Sequence, residues 1–197
     1  MSSFHDPVRQ LKYLRQTLSQ NKKPLGFFLA AGCPLAVQMP EGTWPLIPDI
    51  AGLTKFVTGH LKSAAEEPNT YDKLLAELKK TGKESPNIED ILGFIRGLKQ
   101  VSVGATDVRG FAEADLIKLE TDVCKKIVEK LKVTLPDHKT PYHRLAKWIH
   151  NIERDSPIEI FTTNYDLLVE EAFEEIGVPY FDGFVGSRQP FFDLRAI

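Results

Sequence analysis

Three polar residues with chemical capacity, Thr163, Asn164 and Asp166, lie between an apolar run, Ile158 to Phe161, and the stretch LLVEEAFEEIG. The run is bounded by Ser156-Pro157 before it and by Thr162-Thr163-Asn164 after it, and it reads as a short core strand. Beyond it Tyr165, Leu168, Val169, Ala172, Phe173 and Ile176 recur at spacings of three and four, the stripe of an amphipathic helix. Gly177 closes that helix and Pro179 keeps it from resuming. Open parallel α/β sheets bind ligands outside the carboxyl ends of their strands, so polar groups at such a junction face a ligand crevice. Asn and Asp also cap helices well, and the motif alone leaves both roles open.

A second junction of this kind lies near the N-terminus. Leu25 to Leu29 is a short apolar run behind Asn21-Lys22-Lys23-Pro24, and it opens into Ala30-Ala31-Gly32-Cys33-Pro34. Small residues at a strand end let the backbone approach a phosphate, and a following helix N-terminus favours an anion. Only Gly32 is a glycine and no G-x-G-x-x-G is present, so the loop alone equally suits tight strand-to-helix packing.

Taken in order, these segments resemble the sirtuin family, which carries a G-A-G-x-S loop, then a G-I-P-D-like segment, then a T-Q-N-I-D turn. Here the three stand as Ala30 to Pro34, Leu46-Ile47-Pro48-Asp49, and Thr162-Thr163-Asn164-Tyr165-Asp166. Leu168 and Ala172 match the Leu and Ala of the family's N-I-D-x-L-H-x-x-A pattern. Ala30 replaces the first glycine, Pro34 the serine, Thr163 the glutamine and Val169 the histidine. The TTNYD form, with PNIEDIL upstream and VPYFDGFVG downstream, is similar to the sirtuin-like domains of bacterial antiphage-defence proteins.

The resemblance implies a Rossmann-like, sirtuin-type α/β fold and cleavage of the bond between nicotinamide and ribose in NAD, here a substrate. Nicotinamide leaves a cationic ring as a neutral molecule, so no general acid is needed, and charge develops on an oxocarbenium-like ribose. In this reading Asn164, both donor and acceptor, holds water or ribose in attacking geometry, and Asp166 bonds near the carboxamide or holds the turn. Ala30, Ala31, Gly32, Cys33 and Pro34 line the pyrophosphate, with Pro48, Asp49, Thr162 and Thr163 completing the cofactor contacts. Pro34 has no N–H and alanines resist positive φ, so this loop must differ from the family's cradle. The alternatives are a protein deacylase or ADP-ribosyltransferase, and a non-catalytic module that binds NAD or ADP-ribose. A defence partner such as a DNA translocase or nucleic-acid sensor, and oligomerisation of the full-length protein, also follow from the resemblance.

Helical periodicity occupies the middle of the chain. Val8, Leu11, Leu14 and Leu18 stripe an opening helix, and Ser85-Pro86-Asn87 starts one carrying Ile88, Ile91, Leu92 and Ile95. Leu116, Leu119, Val123, Ile127 and Leu131 stripe a long one, and Thr140-Pro141 opens a fourth with Leu145, Ala146, Ile149 and Ile152. The expected organisation is residues 1–52 with the first strand and nucleotide loop, a large helical insertion over 53–152, and the second part of the sheet over 153–197. GTWPLIPDIAG and the tract from Pro136 to Thr140 read as loops. A third strand is expected over Val178 to Phe181 and none after it. Three strands leave the sheet incomplete, so the chain reads as the N-terminal portion of a longer protein. The family's catalytic histidine, in an H-G motif, and its zinc-binding cysteines are then expected beyond Ile197.

The 197 residues carry a formal net charge of −2, which predicts no direct nucleic-acid binding. Nothing is apolar enough to span a membrane, and MSSFHDPVRQ lacks the pattern of a signal peptide. Two cysteines, Cys33 and Cys124, indicate no disulfide framework, so the expected location is the cytoplasm. Cys33 has no histidine near it in sequence and reads as a small buried residue rather than a nucleophile. His143 and His150 have no further ligands in view, so no metal is predicted. Glu170, Glu171, Glu174 and Glu175 read as a solvated helix face, and Tyr180-Phe181 and Phe191-Phe192 as core or the edge of one.

Overall fold

The two apolar runs pair with each other. In the computed structural model, which describes residues 6–65, 67–137, 139–186, 188–193 and 195, β1 (Leu25–Leu29) and β2 (Ile158–Thr162) form a parallel ladder. Leu25 lies opposite Ile158 and Leu29 opposite Thr162, so the strands begin and end together. Helices α1 (Pro7–Leu18), α2 (Ile50–Leu61), α3 (Thr70–Lys79), α4 (Ile88–Ser102), α5 (Glu113–Leu131), α6 (Pro141–His150) and α7 (Leu168–Ile176) complete a mixed α/β chain with a short hairpin, β3 (Phe184–Val185) and β4 (Phe191–Phe192).

Contacts divide the chain into a sheet unit, up to Ala30 and again from Thr134, and a helical unit, Ala31–Val133. The helical insertion is thus bounded differently from the expected 53–152, because α6 packs on α7 within the sheet unit. Inside the helical unit, Leu53, Val57, Leu74, Ile91, Ile95, Leu116 and Val123 bury one face each of α2 to α5 in a common core. These positions follow the three-and-four spacing that a helix needs to bury a single stripe. Capping sets the starts: Asn69 and Asn87 each accept a backbone N–H three residues on, and Asp72 and Asp90 return the bond. Thr54 on α2 accepts the first free N–H of α4, from Ile88, at 2.9 Å. Glu120 on α5 pairs with Arg96 at 2.8 Å and with Lys99, which together hold its carboxyl below the usual range, Lys99 foremost.

In the sheet unit, one face of β1 meets α6 through Phe27 and Trp148, whose rings cross edge to face at 5.7 Å. Arg154 donates to Leu18 O at 3.2 Å and to Lys23 O at 2.6 Å, and Asp155 N donates to Asn21 O at 3.2 Å. These bonds tie the approach to β1 to the approach to β2. Helix α6 opens with Thr140, whose hydroxyl and backbone N–H both meet His143 Nδ1, while His143 Nε2 meets Glu175 Oε2 on α7 at 2.6 Å. Helix α7 ends at Gly177 in the left-handed region, φ 76°, with Val178 N donating to Phe173 O at 2.8 Å.

Several expectations need correction. Tyr165 precedes α7 and is exposed, because the turn runs to Leu167 before the helix begins. Val178 to Phe181 is not a strand: the Gly177 cap turns the chain so that Val178 packs down and Tyr180 lies against Phe173. Strand structure instead follows Phe181, as the β3–β4 hairpin, where the Phe184 and Phe192 rings meet edge to face. Gly183 is needed there, since at φ 87° a Cβ would sit 2.4 Å from the Phe192 ring. Tyr180, Phe181, Phe191 and Phe192 are all exposed rather than core. Ile50-Ala51-Gly52 opens α2 instead of forming a loop. Met1 to His5, His138, Ser187, Leu194, Ala196 and Ile197, within segments discussed above, lie outside the described residues. No helix among the described residues is long and apolar enough to cross a membrane.

The opening helix forms as its periodicity requires, yet its stripe is not buried: Val8 is 75% and Leu11 59% exposed. Replacing Ile95, fully buried, with Ala is therefore expected to cost about 2–5 kcal/mol. Leu11→Ala should cost less than about 0.5 kcal/mol, since it leaves no cavity. Urea melts of the two variants in dilute solution check the contrast, and equal losses would place the α1 stripe in the core.

Candidate functional site

Parallel pairing decides which of the sequence-predicted residues meet. Because β1 and β2 end together, Ala30 and the turn Thr162 to Asp166 emerge from adjacent carboxyl ends, and Thr163 N donates to Leu29 O at 3.3 Å as the last rung. Thr162 Oγ1 accepts the N–H of Asn164 at 3.0 Å, which folds the chain back over the strand end. Asp166 Oδ1 accepts Leu168 N at 3.2 Å and so supplies the cap that α7, starting behind Leu167, otherwise lacks. Thr162 and Asp166 thus hold the shape of the turn.

Asn164 is different. Its side-chain oxygen is fully buried and accepts no hydrogen bond. A buried acceptor without a donor costs about 1–3 kcal/mol, so the surrounding turn sustains a polar group that the protein itself leaves unsatisfied. Next to it, burial pushes the Asp166 carboxyl upward, partly opposed by the Leu168 N–H. Burial also raises Glu170, helped by the charges of Asp166, Asp182 and Glu174. Tyr180 donates to Glu174 at 2.9 Å, and burial followed by that carboxylate pushes its hydroxyl up to about 12.

Glu170 was not foreseen as part of this region. Glu170 to Glu175 are more than a solvated face: Glu171 accepts Leu135 N at 3.0 Å, Glu174 accepts from Tyr180, and Glu175 meets His143. The i, i+4 spacing of Asp166, Glu170 and Glu174 was the available signal.

The remaining predicted residues belong to the helical unit. Gly32 to Ala36 curls into a short 3₁₀ turn, with Leu35 N on Gly32 O and Val37 N on Pro34 O. Gly32 lies at φ −76°, and a Cβ there would meet nothing within 4 Å, so neither backbone strain nor packing requires a glycine. Pro34 is buried, and Cys33 is half-exposed rather than the buried residue expected. Asp49 caps α2 by accepting Gly52 N at 2.8 Å, and a Cβ on Gly52 would lie 2.8 Å from Pro48 Cβ. Within this unit Pro48 and Asp49 shape the start of α2. No cluster of metal-ligating side chains occurs among the described residues; His143 is engaged with Thr140 and Glu175.

The raised Asp166 carboxyl has a sign that can be tested. A carboxyl whose folded pKa lies above its unfolded value binds protons more tightly in the native state, so its contribution is present at low pH and is lost as pH rises through the folded value. Asp166→Asn keeps the acceptor for Leu168 N and removes the buried charge. The variant should melt higher than the wild type at about pH 7 and equally at about pH 3.5, as followed by thermal unfolding. A lower melting temperature at neutral pH would mean that the charge itself is needed by the fold. No protein-family model matches this chain, and no curated protein matches it, so a functional reading rests on this geometry together with the motif resemblance.

Proposed function

We propose that this chain supplies the nucleotide-binding part of a sirtuin-like, Rossmann-like NAD⁺ glycohydrolase of the antiphage-defence type. The single observation that carries the reading is the unsatisfied, buried side-chain oxygen of Asn164 at the shared carboxyl end of two parallel strands. Open α/β sheets bind nucleotides at such ends. A ribose hydroxyl or a water donating to Asn164 Oδ1 would satisfy the orphan acceptor, and the same contact would fix the nucleophile over the ribose carbon. Neutral Asn suits the task because nicotinamide leaves unaided and no proton has to be delivered to it. Asp166 holds the turn through Leu168 N, and its partly buried carboxyl would stabilise a positive charge developing on a ribose bound beside it.

NAD is substrate in this account, the location is the cytoplasm, and depletion of the cellular pool is the output. The sensor that triggers it, a DNA translocase or another nucleic-acid-reading protein, is a separate chain. A second reading, an NAD- or ADP-ribose-binding module without catalysis, draws support from the 3₁₀ turn at Cys33–Ala36, where buried Pro34 offers no N–H to a phosphate.

Asn164→Ala separates these readings from a purely structural role. With NAD⁺ as substrate, nicotinamide release should fall by about a hundredfold or more, with melting temperature unchanged or slightly raised because an unsatisfied acceptor is gone. Wild-type release by Asn164→Ala would remove Asn164 from the reaction. Tight ADP-ribose binding by the wild type, with no release in either protein, would favour the binding module.

A further inference from the structure

The sheet unit carries two helices of opposite charge. The charged side chains within α1 are all basic, Arg9, Lys12 and Arg15, behind the acidic N-cap Asp6, and Lys22 and Lys23 follow in the loop to β1. None of these five makes a salt bridge among the described residues. The apolar stripe beside them, Val8, Leu11 and Leu14, is more than half exposed. A helix this short is marginal in isolation, so a surface covering its apolar stripe would stabilise it.

Helix α7 has the complementary character. Its four glutamates have no Lys or Arg partner among the described residues; the one ion-pair contact is Glu175 to His143. Glu170 and Glu174 stand four residues apart and so share one side of the helix, where Tyr180 donates to Glu174 at 2.9 Å. Exposed apolar residues adjoin that side, Leu167 at the start of α7 and Tyr180 and Phe181 after its cap, with Tyr180 bonded to Glu174. Among the described residues, no hydrogen bond or ion pair joins α1 to α7.

We propose that α1 of one copy docks along the acidic side of α7 of a second copy, the basic flank of α1 facing Glu170 and Glu174 and its Val8–Leu11–Leu14 stripe meeting Leu167, Tyr180 and Phe181. The occupant is a second copy of this chain because both halves of the complement are present on it, and among the described residues neither Arg9, Lys12 and Arg15 nor Glu170 and Glu174 form an ion pair. Two such contacts related by a two-fold axis close a dimer, and each copy then covers the other's opening helix. This inference does not depend on the NAD reading.

Two charge-reversed proteins test it. Arg9→Glu with Lys12→Glu and Arg15→Glu makes α1 acidic; Glu170→Lys with Glu174→Lys makes α7 basic. By sedimentation equilibrium the wild type should dimerise at about 0.05 M salt and dissociate as salt rises to about 0.5 M. Each reversed protein should dimerise about tenfold or more weakly alone, and an equimolar mixture should recover the dimer, since the mixed pair restores both contacts. Recovery on mixing also shows that both variants fold. A wild type that is monomeric at low salt, a dimer indifferent to salt, or a mixture that stays monomeric would overturn the proposal. So would wild-type monomer that pellets with vesicles of mixed phosphatidylcholine and phosphatidylserine, which would assign α1 to an anionic lipid surface.

Discussion

The parallel ladder between β1 and β2 is the constraint on which the candidate site depends. Its two strands are separated in sequence by the entire helical unit, so their pairing closes a long loop before any local contact can reward it. What offsets that cost is distributed along the strands. Arg154 and Asp155 fasten the entry ends, Phe27 meets Trp148 beneath β1, and the Thr163–Leu29 bond adds the final rung. Registry follows from these contacts, and with it the juxtaposition of Ala30 with the Thr162–Asp166 turn. A slip of one residue would turn Phe27 away from α6 and displace the turn together with it.

The two units use different physics to hold their shape. In the helical unit, four amphipathic helices share one core and cap one another, so stability comes mainly from apolar burial. The sheet unit buries less, chiefly Leu168, Ala172, Phe173, Val178, Tyr142 and Ala146, and relies more on a polar network from Thr140 through His143 to Glu175. It also leaves apolar surface in the open. Parallel sheets are ordinarily covered on both faces, yet Phe28 and Phe161 stand side by side on the outer face of this one, 69% and 55% exposed. With the stripe of α1, they are among the large apolar side chains that this unit leaves exposed.

Sequence periodicity revealed those parts of the structure that are local. The two short strands, the stripes of α4 and α5, the capping at Asn87 and Thr140 and the αL stop at Gly177 were all legible, because each depends on residues within a turn or two of one another. Long-range decisions were not. Whether α6 joins the helices before it or the strand after it depends on the partner of Trp148 and His143, which periodicity does not encode. The β3–β4 hairpin was missed because its strands are two residues each, too short for alternation to register. For the site, residue types suggested Asn164 and Asp166, and both sit at the strand end. Only coordinates could show that Asp166 already has a backbone partner while Asn164 Oδ1 has none.

That asymmetry is central: one side-chain oxygen in the turn is buried without a protein donor, and a nucleotide ribose is the group proposed to satisfy it. Amide hydrogen exchange with and without ADP-ribose reads this directly, because a ligand seated on the strand ends must slow exchange locally. The account predicts added protection at Asn164, Tyr165 and Asp166 and at Ala30, with the core of α4 and α5 unchanged. Saturating ADP-ribose that leaves those amides exchanging at their free rates would contradict it.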